Sequence, residues 1–177
     1  MTARLRPTNS ARLDSERIKR TAATSPEIAN DCCESNFVRR LIVDTGFLVA
    51  LYIRGDSLHP AAIAYLKSNR MPLQTVAPAI VETCFFLDAA GKAALLNWIA
   101  YGGLTVADIP VSNYLDIAAY IQKYADQDID FTDAALVWLA NQTGERQILT
   151  VDEGDFRIYR LKDGQAFELI PWYSKDS

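Results

Sequence analysis

The residues of this chain that are best suited to chemistry are four acids, Asp44, Glu82, Asp133 and Asp152. Asp44 and Asp152 each follow a short apolar run that is typical of a buried strand. Carboxylate oxygens are hard ligands, which suit Mg²⁺ or Mn²⁺ better than they suit zinc or iron. A divalent cation held by acids lowers the pKa of a bound water and stabilises the charge that builds during attack on a phosphodiester. The four acids therefore predict metal-assisted hydrolysis, provided that the fold brings them together.

Two of the four acids also have ordinary structural explanations. Asp133 stands at the start of a predicted helix, where the helix dipole favours an acid whatever its function. Glu82 lies close to Val81 and Phe85 in a predicted helix that is apolar nearly all round. Its carboxylate must therefore find a polar partner, take up a proton or bind a metal. The sequence also allows Glu82 to be exposed to solvent.

Other catalytic groups have less support in the sequence. His59 is the one histidine, and its position before Pro60 predicts a loop or packing residue rather than a general base. Cys32, Cys33 and Cys84 are odd in number and lack the spacing of a zinc site. Unpaired cysteines favour a reducing, cytoplasmic environment.

Two other classes of acid-based enzyme match poorly. Asp44, Thr45 and Gly46 spell the aspartic-protease signature, in which two such loops share a proton. That fold is all-β, whereas this chain has long helical segments and one copy of the motif. A phosphatase of the HAD type would need a second acid two residues after Asp44, and Gly46 stands there.

The spacing of Asp126, Asp128 and Asp130 imitates the start of an EF-hand calcium loop. Phe131 replaces the glycine that such a loop requires, and Val137 replaces its closing glutamate. These two departures exclude a calcium loop of that type.

The length and composition predict one soluble domain. The chain has 177 residues, half of them hydrophobic, which is enough for one core but too few for two ordinary domains. No apolar run reaches the roughly 18 to 20 residues that span a bilayer, so we expect no membrane association. The net charge is −4, and the excess of acid lies after residue 40. This charge argues against tight nucleic-acid binding unless a cation neutralises the acids.

The alternation of short apolar runs with helical segments predicts a mostly parallel sheet that is covered on both faces. Strands are predicted at 41–44, 73–76, 104–109, 148–151 and 167–170. Helices are predicted at 47–52, 60–67, 78–87, 91–100, 112–124 and 132–141, with Ser112 as an N-cap. Sites in parallel sheets form beyond the carboxyl ends of the strands. Asp44 and Asp152 are therefore expected to meet if their strands are neighbours.

The N-terminal segment differs from the rest of the chain. Residues 1–36 are polar and lack apolar periodicity, so we expect a disordered or weakly helical extension. The folded domain is predicted to span residues 37–177.

Four segments of the chain resemble the motifs of PIN domains. They are residues 41–51 (LIVDTGFLVAL), 78–83 (PAIVET), 130–136 (DFTDAAL) and 148–156 (ILTVDEGDF). Each motif is weak alone, but four in this order and spacing are fairly specific. The resemblance extends over about residues 38–171.

The resemblance to PIN domains implies a three-layer α/β/α sandwich and an endoribonuclease that depends on Mg²⁺ or Mn²⁺. Asp44, Asp133 and Asp152 would ligate the metal directly. Glu82 would bind it through water or would orient the nucleophile. Asp155 is an alternative or additional fourth acid, because its motif offers two.

Two hydroxyls are also implicated by the resemblance. Thr132 and Thr150 would orient the carboxylates, as hydrogen-bonded neighbours of metal ligands commonly do.

The chain also resembles the toxin of VapBC-type toxin–antitoxin pairs. That resemblance implies an RNA substrate and a small antitoxin protein that folds onto the toxin and blocks the site. The N-terminal extension departs from the usual compact toxin, whose first strand starts near the first residue. An alternative is a PIN-fold protein that binds RNA or a partner with little or no turnover. The apolar helices predict either a homodimer face or ordinary core around Phe85, Phe86, Leu95, Trp98 and Tyr101.

Overall fold

The computed structural model describes residues 39–174, so the predicted extension at residues 1–36 lies outside the described part of the chain. The strands are β1 (Leu41–Val43), β2 (Leu73–Val76), β3 (Thr105–Ala107), β4 (Gln147–Leu149) and β5 (Glu168–Leu169). They form one sheet in the order β3-β2-β1-β4-β5, and every neighbouring pair is parallel. β1 is the central strand, and all three of its residues are buried.

Seven α-helices lie between and beside these strands within residues 39–174. They are α1 (Thr45–Tyr52), α2 (His59–Ser68), α3 (Ala77–Phe86), α4 (Ala89–Ala100), α5 (Tyr114–Lys123), α6 (Phe131–Thr143) and α7 (Glu153–Ile158). The first six correspond to predicted helices, whereas the sequence pattern does not predict α7.

The two faces of the sheet bury separate hydrophobic clusters. Ile42 and Ile148 pack on the face that α5, α6 and α7 cover. Leu41, Val43 and Leu149 pack on the opposite face, which α1, α2 and α4 cover. Neighbouring residues of one strand point to opposite faces, and here both faces meet apolar helices. The predicted three-layer α/β/α architecture is therefore confirmed.

The start of α5 differs from the prediction. Val111–Asn113 forms a single 3₁₀ turn, which the Asn113 amide closes by donating to the carbonyl of Pro110 at 2.9 Å. Ser112 lies inside this turn, and α5 begins only at Tyr114, with no side chain capping it. The prediction of Ser112 as an N-cap is therefore wrong, because the turn after Pro110 takes up that residue.

The segments that follow β1 and β4 approach each other closely. A Cβ atom placed on Gly46, in the first turn of α1, would come within 2.2 Å of Cγ2 of Val151. A larger residue at position 46 would therefore force Val151 to shift. The close approach brings the segments after the two central strands side by side, which is where Asp44 and Asp152 stand.

Within residues 39–174, no helix combines the length and the hydropathy needed to cross a membrane.

Candidate active site

Four different elements carry the four predicted acids. Asp44 directly follows β1 and caps α1, its Oδ1 accepting a 2.6 Å hydrogen bond from the amide of Thr45. Asp152 follows β4 and occupies the N-cap position of α7. Asp133 lies in the first turn of α6, and Glu82 lies in α3. Because β1 and β4 are neighbouring parallel strands, the expected meeting of their carboxyl ends is confirmed.

Thr150 connects the two acids at these strand ends. Its buried hydroxyl donates a 2.8 Å hydrogen bond to Oδ2 of Asp44. The same oxygen accepts a 2.9 Å hydrogen bond from the amide of Asp152. One threonine thus fixes the direction of one carboxylate and the main chain that carries the other.

Glu82 is held by two further threonines. The Thr45 hydroxyl donates to Oε2 at 2.7 Å, and the Thr132 hydroxyl donates to Oε1 at 2.6 Å. These partners belong to the segments that carry Asp44 and Asp133, respectively. The partly buried Glu82 therefore finds the polar partners that its apolar helix lacks, and it joins two other acid-bearing elements.

Asp133 has its own set of contacts. Its amide donates to Oδ1 of Asp130 at 2.8 Å, so Asp130 rather than Asp133 caps α6. Its Oδ2 accepts a 3.1 Å hydrogen bond from the hydroxyl of Tyr159. The charges of Asp44 and Asp152 act on it as well. Asp133 is thus electrostatically coupled to both acids at the strand ends.

Burial and the nearness of other acids raise the pKa of two of the four acids. Burial raises the pKa of Asp44 to about 6, although hydrogen bonds from Thr150 and Thr45 oppose the rise. Burial raises the pKa of Asp133 to about 8, and the negative charges of Asp130 and Asp44 contribute to the rise. Groups that share a site with like charges bind protons more tightly. The acids of the site are therefore harder to ionise together unless a cation balances their charge.

The described residues place their ion pairs elsewhere. Arg157 pairs with Glu153 at 2.8 Å, and Lys162 pairs with Asp116 at 3.3 Å. Neither pair includes any of the four acids. A divalent cation is the kind of group that would balance a cluster of carboxylates, since it is the largest local charge wherever it binds.

The donor set fits such a cation in chemistry. Every acid offers oxygen ligands, which Mg²⁺ and Mn²⁺ prefer. Burial raises the pKa of both Asp44 and Asp133, and like-charge repulsion adds to the rise. In the described part of the chain, no three His, Cys, Asp or Glu side chains already stand in a metal-holding arrangement. The fit is therefore one of charge and donor type rather than of preformed coordination.

Asp155 lies in the first turn of α7, next to the acid that caps it. Its amide donates to Oδ1 of Asp152 at 3.3 Å. Burial and then the charge of Asp152 raise the pKa of Asp155 above its ordinary value. Asp155 is thus placed beside Asp152, in the short helix that Asp152 caps.

Sequence reasoning missed two partners of the acids. Thr45 was treated only as part of a motif, although its hydroxyl reaches Glu82. Tyr159 lies 26 positions from the acid that it contacts, in a segment for which no helix was predicted. No local pattern signals such a distant contact.

His59 takes no part in this network. Its Nδ1 lies 2.9 Å from the carbonyl oxygen of Ala50. It also lines a cavity of about 880 Å³ together with Tyr52 and Phe86, and none of the four acids contributes to that cavity. His59 is the first residue of α2, so the prediction of a loop residue is wrong, whereas these contacts are those of a packing residue.

A comparison with curated proteins finds a ribonuclease that this chain matches over that protein's full length. Ribonuclease VapC26 of Mycobacterium tuberculosis is 31% identical over 136 residues, which cover 74% of this chain and 100% of VapC26. No family model matches the chain.

A comparison with solved structures supports the same fold. The crystal structure of Mycobacterium tuberculosis VapC20, a toxin that cleaves the sarcin–ricin loop, matches with a TM-score of 0.57 and 19% sequence identity. The match covers 61% of this chain and 86% of that chain. At 19% identity this similarity shows a shared fold and nothing more specific. The full-length similarity to VapC26 concerns the family, and this chain belongs to the VapC family of PIN-domain ribonucleases.

Proposed function

We propose that this protein is an endoribonuclease that hydrolyses RNA phosphodiester bonds with Mg²⁺ or Mn²⁺, and that it is the toxin of a toxin–antitoxin pair. One observation carries the proposal. Three threonine hydroxyls, those of Thr45, Thr132 and Thr150, hydrogen-bond to Glu82 or Asp44 and tie together the elements that carry all four acids. Membership of the VapC family supports the ribonuclease activity.

Three acids would hold the metal in this proposal, namely Asp44, Asp133 and Asp152. When bound, the cation supplies a water of lowered pKa and a positive charge for the phosphate oxygens. Asp44 enters this role already oriented, because Thr150 and the amide of Thr45 bind its two oxygens separately.

Glu82 would orient the attacking water or bind the metal through water. Each of its oxygens accepts one threonine hydroxyl, and a carboxylate oxygen can accept a second hydrogen bond. Fixing both oxygens by threonines from two other elements gives Glu82 a defined direction. An oriented carboxylate can hold a water in line for attack, which is a large part of catalysis by positioning.

The charge of the site determines how RNA would bind. Phosphates and the acid cluster repel each other, and the whole chain carries a net charge of −4. RNA binding at this site would therefore depend on the divalent cation more than in a basic nucleic-acid-binding protein.

One observation favours a second candidate, a PIN-fold protein that binds RNA or a partner with little or no turnover. Among residues 39–174 no three His, Cys, Asp or Glu side chains stand in an arrangement that could hold a metal ion. In this alternative the acids would be held by threonines for structural reasons, and Mg²⁺ would change neither RNA binding nor stability.

Two protein partners belong to the proposal. A cognate antitoxin would cover the site, and a second copy of the chain would cover exposed apolar residues of the helices. Phe85 and Tyr101 are 81% and 89% exposed, and Phe86 is also exposed, whereas Leu95 is fully buried and belongs to the core. A cytoplasmic location fits an RNA substrate and the free thiol of Cys84.

The proposed activity is tested with purified protein, single-stranded RNA and either Mn²⁺ or EDTA. We expect cleavage only with the metal, and a roughly 100-fold or greater loss in Asp44→Asn, equivalent to about 2.7 kcal/mol of lost transition-state stabilisation. Asp116→Asn is the matched control, because Asp116 is a surface acid paired with Lys162. Equal cleavage by wild type and Asp44→Asn would mean that the nuclease is a contaminant. RNA binding that is indifferent to Mg²⁺, without cleavage, would favour the second candidate.

A further inference from the structure

We propose that Tyr159 is a positioning residue of the active site, which holds the carboxylate of Asp133 in place for the divalent cation. The inference rests on the proposed function and assigns a role to a residue outside the four acidic motifs. Its basis is a hydrogen bond of 3.1 Å from the Tyr159 hydroxyl to Oδ2 of Asp133. Among the hydrogen bonds of residues 39–174, Tyr159 is the side chain that donates to Asp133.

The position of Tyr159 in the chain ties it to a second acid. α7 begins after Asp152, whose Oδ1 accepts from the amide of Asp155 at 3.3 Å. α7 ends at Ile158, and the amide of the next residue, Tyr159, donates to the carbonyl of Asp155 at 3.1 Å. One short helix therefore starts at one acid of the site and ends next to the residue that binds another. Its length sets the distance between these two anchoring points.

The ring of Tyr159 is held rigidly in the core. Its centroid lies 5.4 Å from that of Phe156 and 5.6 Å from that of Tyr124, both edge to face. Tyr120 adds a third edge-to-face contact at 6.5 Å, and Tyr159 is 1% exposed. Edge-to-face aromatic packing in a dense interior fixes the ring. The hydroxyl is thus delivered to Asp133 from a rigid support rather than from a mobile side chain.

Asp133 needs such a support because its neighbours repel it. The negative charges of Asp130, Asp44 and Asp152 all act on its carboxylate. Like charges disfavour the ionised form of a carboxyl group, and a hydrogen bond donated to that form favours it. Hydrogen-bonded neighbours of metal ligands commonly account for about 10- to 100-fold in metal affinity or activity. Tyr159 is placed to support Asp133 in this way, through the hydrogen bond to its Oδ2.

The test compares Tyr159→Phe with Tyr120→Phe. Both changes remove one hydroxyl from the same ring cluster and keep the ring. The hydroxyl of Tyr120 donates to the carbonyl of Arg160 and accepts from its amide, both at 3.1 Å. It also interacts with the hydroxyl of Tyr124, but none of the four acids is among its hydrogen-bond partners. We expect Tyr159→Phe to weaken Mn²⁺ binding by roughly 10-fold and to lower kcat by a similar factor with KM unchanged. Tyr120→Phe is expected to change neither Mn²⁺ affinity nor kcat.

Calorimetric titration with Mn²⁺ gives the affinity without reference to catalysis. If Tyr159→Phe binds Mn²⁺ as tightly as wild type does, the positioning role is overturned while the proposed nuclease stands. An equal loss of affinity in both variants also overturns it, because the ring cluster rather than the hydroxyl would then be responsible.

A double-mutant cycle in EDTA separates the contact from the proposed function. Tyr159→Phe is made in wild type and in Asp133→Ala, and the thermal midpoints are compared. We expect Tyr159→Phe to shift the thermal midpoint when it is made in wild type, and to shift it little when it is made in Asp133→Ala. Identical shifts in both backgrounds would show that the hydroxyl does not act through Asp133. A wild type that binds no Mn²⁺ and cleaves no RNA refutes the proposed function and the role of Tyr159 together, even if the cycle shows coupling.

Discussion

The hydroxyl of Thr150 donates a 2.8 Å hydrogen bond to Oδ2 of Asp44, and the two residues are 106 positions apart in the chain. They meet because β1 and β4 are neighbouring parallel strands, so their carboxyl ends lie at the same edge of the sheet. The same threonine accepts from the amide of Asp152. The topology of the sheet thus creates the first contact of the candidate site.

Replacing Thr150 tests the importance of this contact. Thr150→Val keeps the shape but leaves Asp44 without its hydroxyl donor and the amide of Asp152 without its acceptor. We expect a loss of roughly 1 to 3 kcal/mol in the free energy of unfolding and about 10-fold weaker binding of Mn²⁺. Chemical unfolding and Mn²⁺ titration measure the two effects.

Thr75→Val is the control for that change. The buried Thr75 hydroxyl donates to the carbonyl of Val43 at 2.7 Å and touches no acid. It should lower stability without changing Mn²⁺ affinity. If both variants bind Mn²⁺ equally well, Thr150 has only a structural role.

The second prediction concerns the pH dependence of stability in EDTA. Asp44 and Asp133 have a raised pKa in the folded protein, about 6 and about 8 against an ordinary 3.8. The folded state therefore binds their protons more tightly than the unfolded state. Their favourable contribution is complete below pH 3.8 and is lost as the pH rises through about 6 and then about 8.

The variant Asp133→Asn isolates the upper part of this window. It should remove most of the decrease in thermal midpoint that wild type shows between about pH 6 and pH 8. Thermal unfolding in a pH series measures the difference between the two proteins. Parallel profiles for wild type and Asp133→Asn would be inconsistent with a raised pKa of Asp133.

The third prediction is that metal binding releases protons. A raised pKa leaves Asp133 largely protonated at neutral pH, and a carboxyl group must lose its proton to ligate a cation. The apparent affinity for Mn²⁺ should therefore rise between about pH 6 and pH 8. Calorimetry in buffers of different ionisation enthalpy measures the released protons. Binding without proton release at pH 7 would show that Asp133 is not a protonated group that loses its proton on ligating the metal.

The fourth prediction concerns the close approach of Gly46 and Val151. The Cβ of Gly46→Ala would lie 2.2 Å from Cγ2 of Val151, and overpacking of this kind costs roughly 1 to 3 kcal/mol. Adding Val151→Ala should restore part of the lost stability. Gly55→Ala is the matched control, since a Cβ there meets nothing within 4 Å. Denaturant unfolding that gives the same result for Gly46→Ala and Gly55→Ala would refute the contact.

The sequence predicts the central part of the fold well, for a physical reason. β1 is buried on both faces and is a continuous apolar run that ends at Asp44. β2 is equally buried, although it contains the polar residues Gln74 and Thr75. The acids after β1 and β4 follow from the rule that sites form at the carboxyl ends of parallel strands.

The resemblance to PIN domains implied Thr132 and Thr150 as supports of the acids, but local pattern does not indicate the contacts of Thr45 and Tyr159. Tyr159 reaches Asp133 because both belong to segments of one hydrophobic cluster. α7 has six residues, with no amphipathic period long enough to recognise. The predicted start of α5 is wrong because a serine two residues after a proline suits both an N-cap and a 3₁₀ turn. Tertiary contacts decide such cases, and local sequence does not contain them.

The central claim is that Asp44, Asp133 and Asp152 hold a divalent cation, with Glu82 bound through water or orienting the nucleophile. It is tested most directly by titrating the purified protein with Mn²⁺ and following the free ion by electron paramagnetic resonance. The account predicts saturable binding by wild type, and roughly 10-fold or greater weakening in each of Asp44→Asn, Asp133→Asn and Asp152→Asn. Asp116→Asn should bind as wild type does. No saturable binding by wild type, or equal binding by all of these variants, would contradict the account.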